Sequence, residues 1–175
     1  MIALTPAMQK FILHWGEMGD RWGINRSVAQ IHALLYLTGK PLTAEDMAET
    51  LSMARSNVSN SIRELVGWGL IRPVPVMGDR RDHYESLSDV WEMFFVVLDE
   101  RRKREVVPTI RVLEECSALA TSSSKEPDEV RKRIDAMLDF LKTSDGWYGQ
   151  MRKLPREAVV GFIRMGGKVK KLLGG

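Results

Sequence analysis

Apolar residues recur along the chain at two periods, and the change of period divides it. Over residues 6–22, Met8, Phe11, Ile12, Trp15, Met18 and Trp22 fall three or four apart, one face of an α-helix. Pro6 suits its first turn and Gly23 its end. Val28, Ile31, Leu34 and Leu35 repeat the pattern over 26–37, and Gly39, Lys40 and Pro41 stop it. The next helix starts with a mechanism. Thr43 can cap the free backbone N–H groups, Asp46 three residues on makes a variant capping box, and Leu42 and Met47 are spaced as a hydrophobic staple. That helix runs to about Leu51. A short turn leads to another over 54–67, with Val58, Ile62, Leu65 and Val66 as its expected buried face.

After Gly69 the period shortens. Residues 70–76 are β-branched, and Pro73 and Pro75 confine them to an edge strand. Residues 77–81 carry turn chemistry and 82–87 read as the return strand, so a β-hairpin follows a helix pair. A long helix is expected from about Ser88 to Ala120, kinked or interrupted at Pro108. Residues 121–127 read as a loop. Val130, Ile134, Met137, Leu138 and Leu141 predict a helix over 127–142, and 145–173 is helical in pattern with interruptions at Pro155 and at Gly166 and Gly167. The fold class is mainly α with one small β-hairpin.

Composition narrows the function. In 175 residues, 44% are hydrophobic and 28% charged, an ordinary globular balance. A net charge of +3 permits a nucleic-acid partner without establishing one. A single cysteine, Cys116, excludes an internal disulfide and fits a cytoplasmic protein. Its neighbours Glu114 and Glu115 disfavour a reactive thiolate. The N-terminal stretch lacks the basic start of a signal peptide, and no run of 18 apolar residues predicts a membrane span. His14, His32 and His83 are scattered, so no metal site and no cofactor are expected. His83 is read as touching a phosphate or nothing. Lys168, Lys170 and Lys171 read as a solvated face. Phosphate-binding glycine fingerprints and a nucleophile–base set are both missing, and nothing in the sequence supports an enzyme.

The placement of charge says more than its total. From Thr50 to Arg63 there is no acidic residue, whereas the preceding helix carries Glu45, Asp46 and Glu49. Arg55, Ser56, Asn57, Ser59, Asn60 and Arg63 fall outside the apolar face of 54–67. Arg can pair bidentately with guanine and Asn with adenine, and Ser serves a base or a phosphate. The same residues would also solvate an ordinary exposed helix. The hairpin tip, read as 78–81, adds Arg80 and Arg81, whose guanidinium groups suit a narrow minor groove. An acid-free helix face followed by a basic hairpin points to DNA.

The stretches "ARSNVSNSIRELVGWGLI", "GDRRDHYES" and "DVWEMF" resemble the winged helix-turn-helix of MarR-family transcriptional regulators, most closely the GbsR-like branch. The resemblance implies a recognition helix, 54–67, in the major groove. It implies a wing, 77–82, with Arg81 in the minor groove, Asp79 bracing it and Arg80 on the backbone. It further implies a homodimeric, cytoplasmic regulator of a double-stranded operator, with residues 1–22 joining the dimerisation region, 23–88 forming the DNA-binding domain and 89–175 the dimerisation and effector region. One departure is Ala54, where the family often has Ser or Thr; Ser52 or Ser56 is expected to compensate.

A repressor modulated by a small molecule is the reading that follows. Trp15, Trp22, Trp91, Phe94, Phe95, Trp147 and Tyr148 are the candidate effector-pocket residues. The GbsR-like resemblance makes choline or betaine candidate ligands, held by cation–π contacts. The helical spacing of these aromatics equally suits core and interface packing. The alternative function is a winged-helix protein-interaction module without DNA binding.

Overall fold

A computed structural model of the chain describes residues 2–122 and 126–165. The expected interruption at Gly166 and Gly167, the basic stretch 168–171 and part of the 121–127 loop lie outside the described residues. The fold divides between Glu100 and Arg101 into two compact units.

The first unit is built around one buried helix. Helix α1 (Pro6–Arg21) packs on α2 (Arg26–Thr38). The α2 helix is buried nearly all round, through Val28, Ala29, Ile31, His32, Ala33, Leu34 and Leu35. A two-residue strand, β1 (Leu42–Thr43), leads into α3 (Ala44–Leu51). The capping box is present: the Asp46 N–H donates to Thr43 Oγ1 and the Thr43 N–H donates to Asp46 Oδ2, both at 3.1 Å. Leu42 and Met47 are buried in the same core. Next come α4 (Arg55–Trp68), β2 (Ile71–Val76), β3 (Asp79–Ser86) and α5 (Val90–Arg101). Gly69, with φ +77°, closes α4 and lets the Leu70 N–H reach back to the Leu65 carbonyl at 3.0 Å.

Three features differ from the sequence expectation. The buried face of α4 is Val58, Ser61, Ile62 and Leu65; Val66, one position further round, is 37% exposed. The sheet has three antiparallel strands in the order β1-β3-β2, so the return strand is central and β2, with its prolines, is an edge as expected. The register slips between Val74 and Val76, around Pro75, which has no N–H to give.

Crossing of α1 over α2 is close enough to set a test. A Cβ at Gly19 would lie 2.6 Å from the Ala29 Cβ, whereas one at Gly16 would meet only the flexible Gln30 side chain. Gly19→Ala should therefore destabilise by about 1–3 kcal/mol through overpacking. Gly16→Ala should be near neutral or stabilising, since alanine favours the helix. Urea unfolding of the two variants checks the contrast.

The second unit opens on a π-helical turn (Arg102–Val106), in which the Val107 N–H donates to the Arg102 carbonyl five residues back. Pro108 cannot donate to the Arg104 carbonyl, and a wider turn just before it accommodates the loss. Helices α6 (Val107–Ser122), α7 (Asp128–Met151) and α8 (Arg156–Met165) complete it, with Pro155 breaking the chain before α8. Residues 128–151 form one continuous helix, where the sequence pattern divided it after 142. The pair α6–α7 is tied by Lys142 to Glu114 at 2.6 Å and by the Ser117 hydroxyl donating to Asp135 at 2.6 Å. Arg102 forks onto Asp145 at 2.5 and 2.8 Å, and that hydrogen bond holds the Asp145 carboxyl below its ordinary range. Among the described residues, no helix is long and apolar enough to cross a membrane.

Candidate nucleic-acid interface

Helix α4 exposes the residues that the sequence singled out. Arg55, Ser56, Asn57, Ser59, Asn60 and Arg63 are all exposed, while Val58, Ser61, Ile62 and Leu65 turn into the core. Arg63 Nη1 donates to Asn60 Oδ1 at 3.3 Å, so these two side chains sit together on the outer face. The helix begins without a side-chain cap: Ala54 occupies the N-cap position. Ser52 does not compensate; it closes α3 in the left-handed conformation, φ +52°. Ala54→Ser should restore the missing cap and stabilise by about 1 kcal/mol, readable as a raised urea midpoint at unchanged slope.

The wing is narrower than the sequence suggested. Its turn is Met77–Gly78 alone, with Gly78 at φ +83° and Met77 fully exposed. Val76 already pairs with Asp79, so Arg80 and Arg81 belong to strand β3 rather than to a loop tip. Successive strand residues face opposite ways. Arg80 and Arg81 therefore cannot act as one two-guanidinium tip.

Arg81 is held by a local clamp. Its backbone N–H donates to Asp79 Oδ1 at 3.0 Å, its Nε to both carboxylate oxygens at 3.0 Å, and its Nη2 to Oδ2 at 2.5 Å. Hydrogen bonding from Arg81 pulls the Asp79 carboxyl far below the ordinary carboxylate range, and Asp79 in turn raises the Arg81 guanidinium. The clamp thus stays ionised at any ordinary pH. Arg80 is exposed. His83 takes a part that the sequence did not reveal. It is buried, its Nδ1 lies 2.9 Å from the Arg81 carbonyl and its Nε2 3.5 Å from Asp79 Oδ2. Only alternation along β3, with 79, 81 and 83 on one face, could have signalled it.

The first unit also holds a cavity of about 400 Å³. Of the candidate effector-pocket residues, Trp15, Trp22 and Phe94 line it; Trp91 and Phe95 do not. Trp147 and Tyr148 belong to α7 in the other unit. Tyr36, Trp68 and His32 line the cavity and were not singled out from sequence, because helical spacing marks them only as core positions.

Residues 16–82 match the family model of the MarR family. This segment is thus similar to the MarR family. Two relatives extend the likeness beyond it. YvaV of Bacillus subtilis (strain 168), named as an HTH-type transcriptional regulator, is 21% identical over 153 residues, spanning 86% of each chain. The HTH-type transcriptional repressor OpcR of the same organism is 24% identical over 156 residues, spanning 86% of this chain and 83% of OpcR. A crystal structure of a transcriptional regulator aligns with a TM-score of 0.48 at 22% identity, over 83% of this chain and 99% of that one. The matched segment contains α4, the Asp79–Arg81 clamp and most of the three-stranded sheet.

Proposed function

We propose that the chain is a sequence-specific DNA-binding transcriptional regulator that acts as a homodimeric repressor of the GbsR-like branch, in the cytoplasm. The observation that carries the reading is the exposed, acid-free face of α4 from Arg55 to Arg63, beside a wing strand whose Arg81 is clamped by Asp79. In this reading α4 enters the major groove. Asn57, Asn60, Arg55 and Arg63 read base edges, Ser56 and Ser59 reach bases or phosphates, Arg81 enters the minor groove and Arg80 touches the backbone. OpcR, named as a repressor, supports the sign of regulation.

Exposed apolar side chains support the dimer. In the second unit Val112, Leu119, Met137, Phe140 and Trp147 are each more than half exposed. So many on two helices is more than a soluble monomer commonly leaves in water, and a second copy would cover them. Two recognition helices would then meet half-sites about one helical turn apart.

A fluorescence-anisotropy titration of the full chain against the DNA flanking its own gene tests the function. The expected result is saturable binding to an inverted repeat, weakening steeply with salt as counterions are released. Equal affinity for scrambled DNA would remove sequence specificity from the reading. No DNA binding at low salt would leave the protein-interaction alternative.

A further inference from the structure

We propose that His83 is a positioning residue of the wing: through the Asp79 carboxylate its ring sets how tightly Arg81 is held, and protonation of the ring loosens that hold. This role rests on the DNA-binding reading proposed above and deepens it. The ring has a fixed seat. His83 is 7% exposed, and β3 is paired on both sides there, to Thr43 of β1 and Val74 of β2. Asp79, Arg81 and His83 fall on one face of the strand.

Hydrogen bonding fixes the tautomer. Nδ1 lies 2.9 Å from the Arg81 carbonyl oxygen, which can only accept, so Nδ1 carries the proton. In the neutral ring Nε2 is then a bare acceptor, and it faces Asp79 Oδ2 at 3.5 Å, lone pair against lone pair. In the charged ring Nε2 is a donor, and the same approach becomes a charge-assisted hydrogen bond. Oδ2 already accepts from Nε and Nη2 of Arg81. A third donor shares that oxygen and leaves the Nη2 end of the guanidinium freer for an acceptor on DNA. Protonation also adds a positive charge at the root of the wing. Both effects favour binding.

His83 is the member of this trio that can change charge. Asp79 and Arg81 stay ionised at any ordinary pH, whereas histidine changes charge between about pH 5 and 8. The surrounding elements bring other charges. After Asp79 itself, Asp46 and Glu45 at the start of α3 favour the charged Arg81. The Thr43 hydroxyl keeps the Asp46 carboxyl below its ordinary range. On β2, Arg72 is tied to Glu85 of β3 at 2.6 Å. Helix α2, which also packs on β3, has Arg26 exposed at its start and His32 and Tyr36 in the cavity wall.

The test is the ratio of affinities at about pH 6 and about pH 8, from anisotropy titrations of the full chain against the DNA flanking its own gene. Wild type should bind roughly threefold to tenfold tighter at the lower pH, the effect of one charge gained near several phosphates. His83→Asn keeps a donor near the Nδ1 position and cannot take up a proton, so its ratio should fall to about one. Asp79→Asn keeps the ring's charge and weakens its partner, so its ratio should lie between the two. An unchanged ratio in His83→Asn, or a wild type that binds no tighter at the lower pH, overturns the proposal. So does a wild-type ratio in Asp79→Asn, because the ring would then act without the carboxylate. If His83→Asn does not fold, judged by its unfolding curve, the imidazole nitrogen-15 spectrum of the wild-type chain decides: a neutral His83 protonated at Nδ1 supports the proposal and one protonated at Nε2 overturns it. Binding without any pH effect overturns this role alone, whereas no binding at either pH overturns the DNA-binding reading with it.

Discussion

Arg81→Ala is expected to lower affinity for the specific operator by roughly 10- to 100-fold, the cost of one good base or groove contact. Two effects act together. The contact is lost, and Asp79, now without its partner, presents a bare carboxylate to the phosphates. Asp79→Asn separates them. It weakens the clamp, four hydrogen bonds from Arg81 to one carboxylate, by removing the charge and one of the two acceptor oxygens, yet keeps the guanidinium. If Asp79 only positions Arg81, this variant should lose less affinity than Arg81→Ala and keep the salt dependence of the wild type. Arg80→Ala should weaken binding to all sequences alike and lower the salt slope by about one. Anisotropy titrations on specific and scrambled duplexes at several salt concentrations distinguish the three variants. Unchanged operator affinity in Arg81→Ala would remove the wing from the interface.

Acid is expected to destabilise the first unit by about 3 kcal/mol through His32 alone. The folded ring has a pKa lowered from 6.5 to about 4 by burial. Between those values the unfolded chain takes up a proton that the folded chain refuses. The contribution to stability is thus complete above about pH 6.5 and is lost as pH falls towards 4. No charged side chain lines the cavity wall around the ring to offset the effect. Carboxylates elsewhere add their own pH dependence, so the comparison is with His32→Leu. Urea unfolding at about pH 7 and about pH 4 should show the wild type losing about 3 kcal/mol more than the variant. Equal losses would mean that the ring is not buried neutral.

Much of the candidate DNA-reading element was legible because local chemistry dictates it. The Thr43–Asp46 capping box and the proline-marked edge strand each act over a few residues, and each is present; α4 runs one residue past its expected end at 67, to a stop at Gly69. The outer face of α4 followed from period alone, with one error: Val66 is apolar but sits beside the stripe rather than in it. What the sequence hid depends on distant partners. Strand β1 is two residues long and exists because Leu42 and Thr43 pair with Tyr84 and His83, some forty positions away. Arg80 and Arg81 looked like a loop because Gly78 and Asp79 are turn formers; the turn closes in two residues and the strand begins at Asp79. His32 looked like one polar residue on an apolar helix, and only packing from α1 and the surrounding helices makes it a buried neutral ring.

The central position of β3 bears on how much order the wing must gain when it meets DNA. At its base β3 is hydrogen-bonded on both sides, to β1 and to β2, and β1 runs straight into the capped start of α3. The wing root and the supporting helix are therefore one stiff piece. Backbone freedom is left at Met77 and Gly78 and around the slip at Pro75. Conformational entropy lost on association should then fall on the long arginine side chains and the two turn residues, not on the strand. Amide hydrogen exchange would record this as slow exchange at His83 and Tyr84 with or without DNA, and as protection gained on binding only near Gly78.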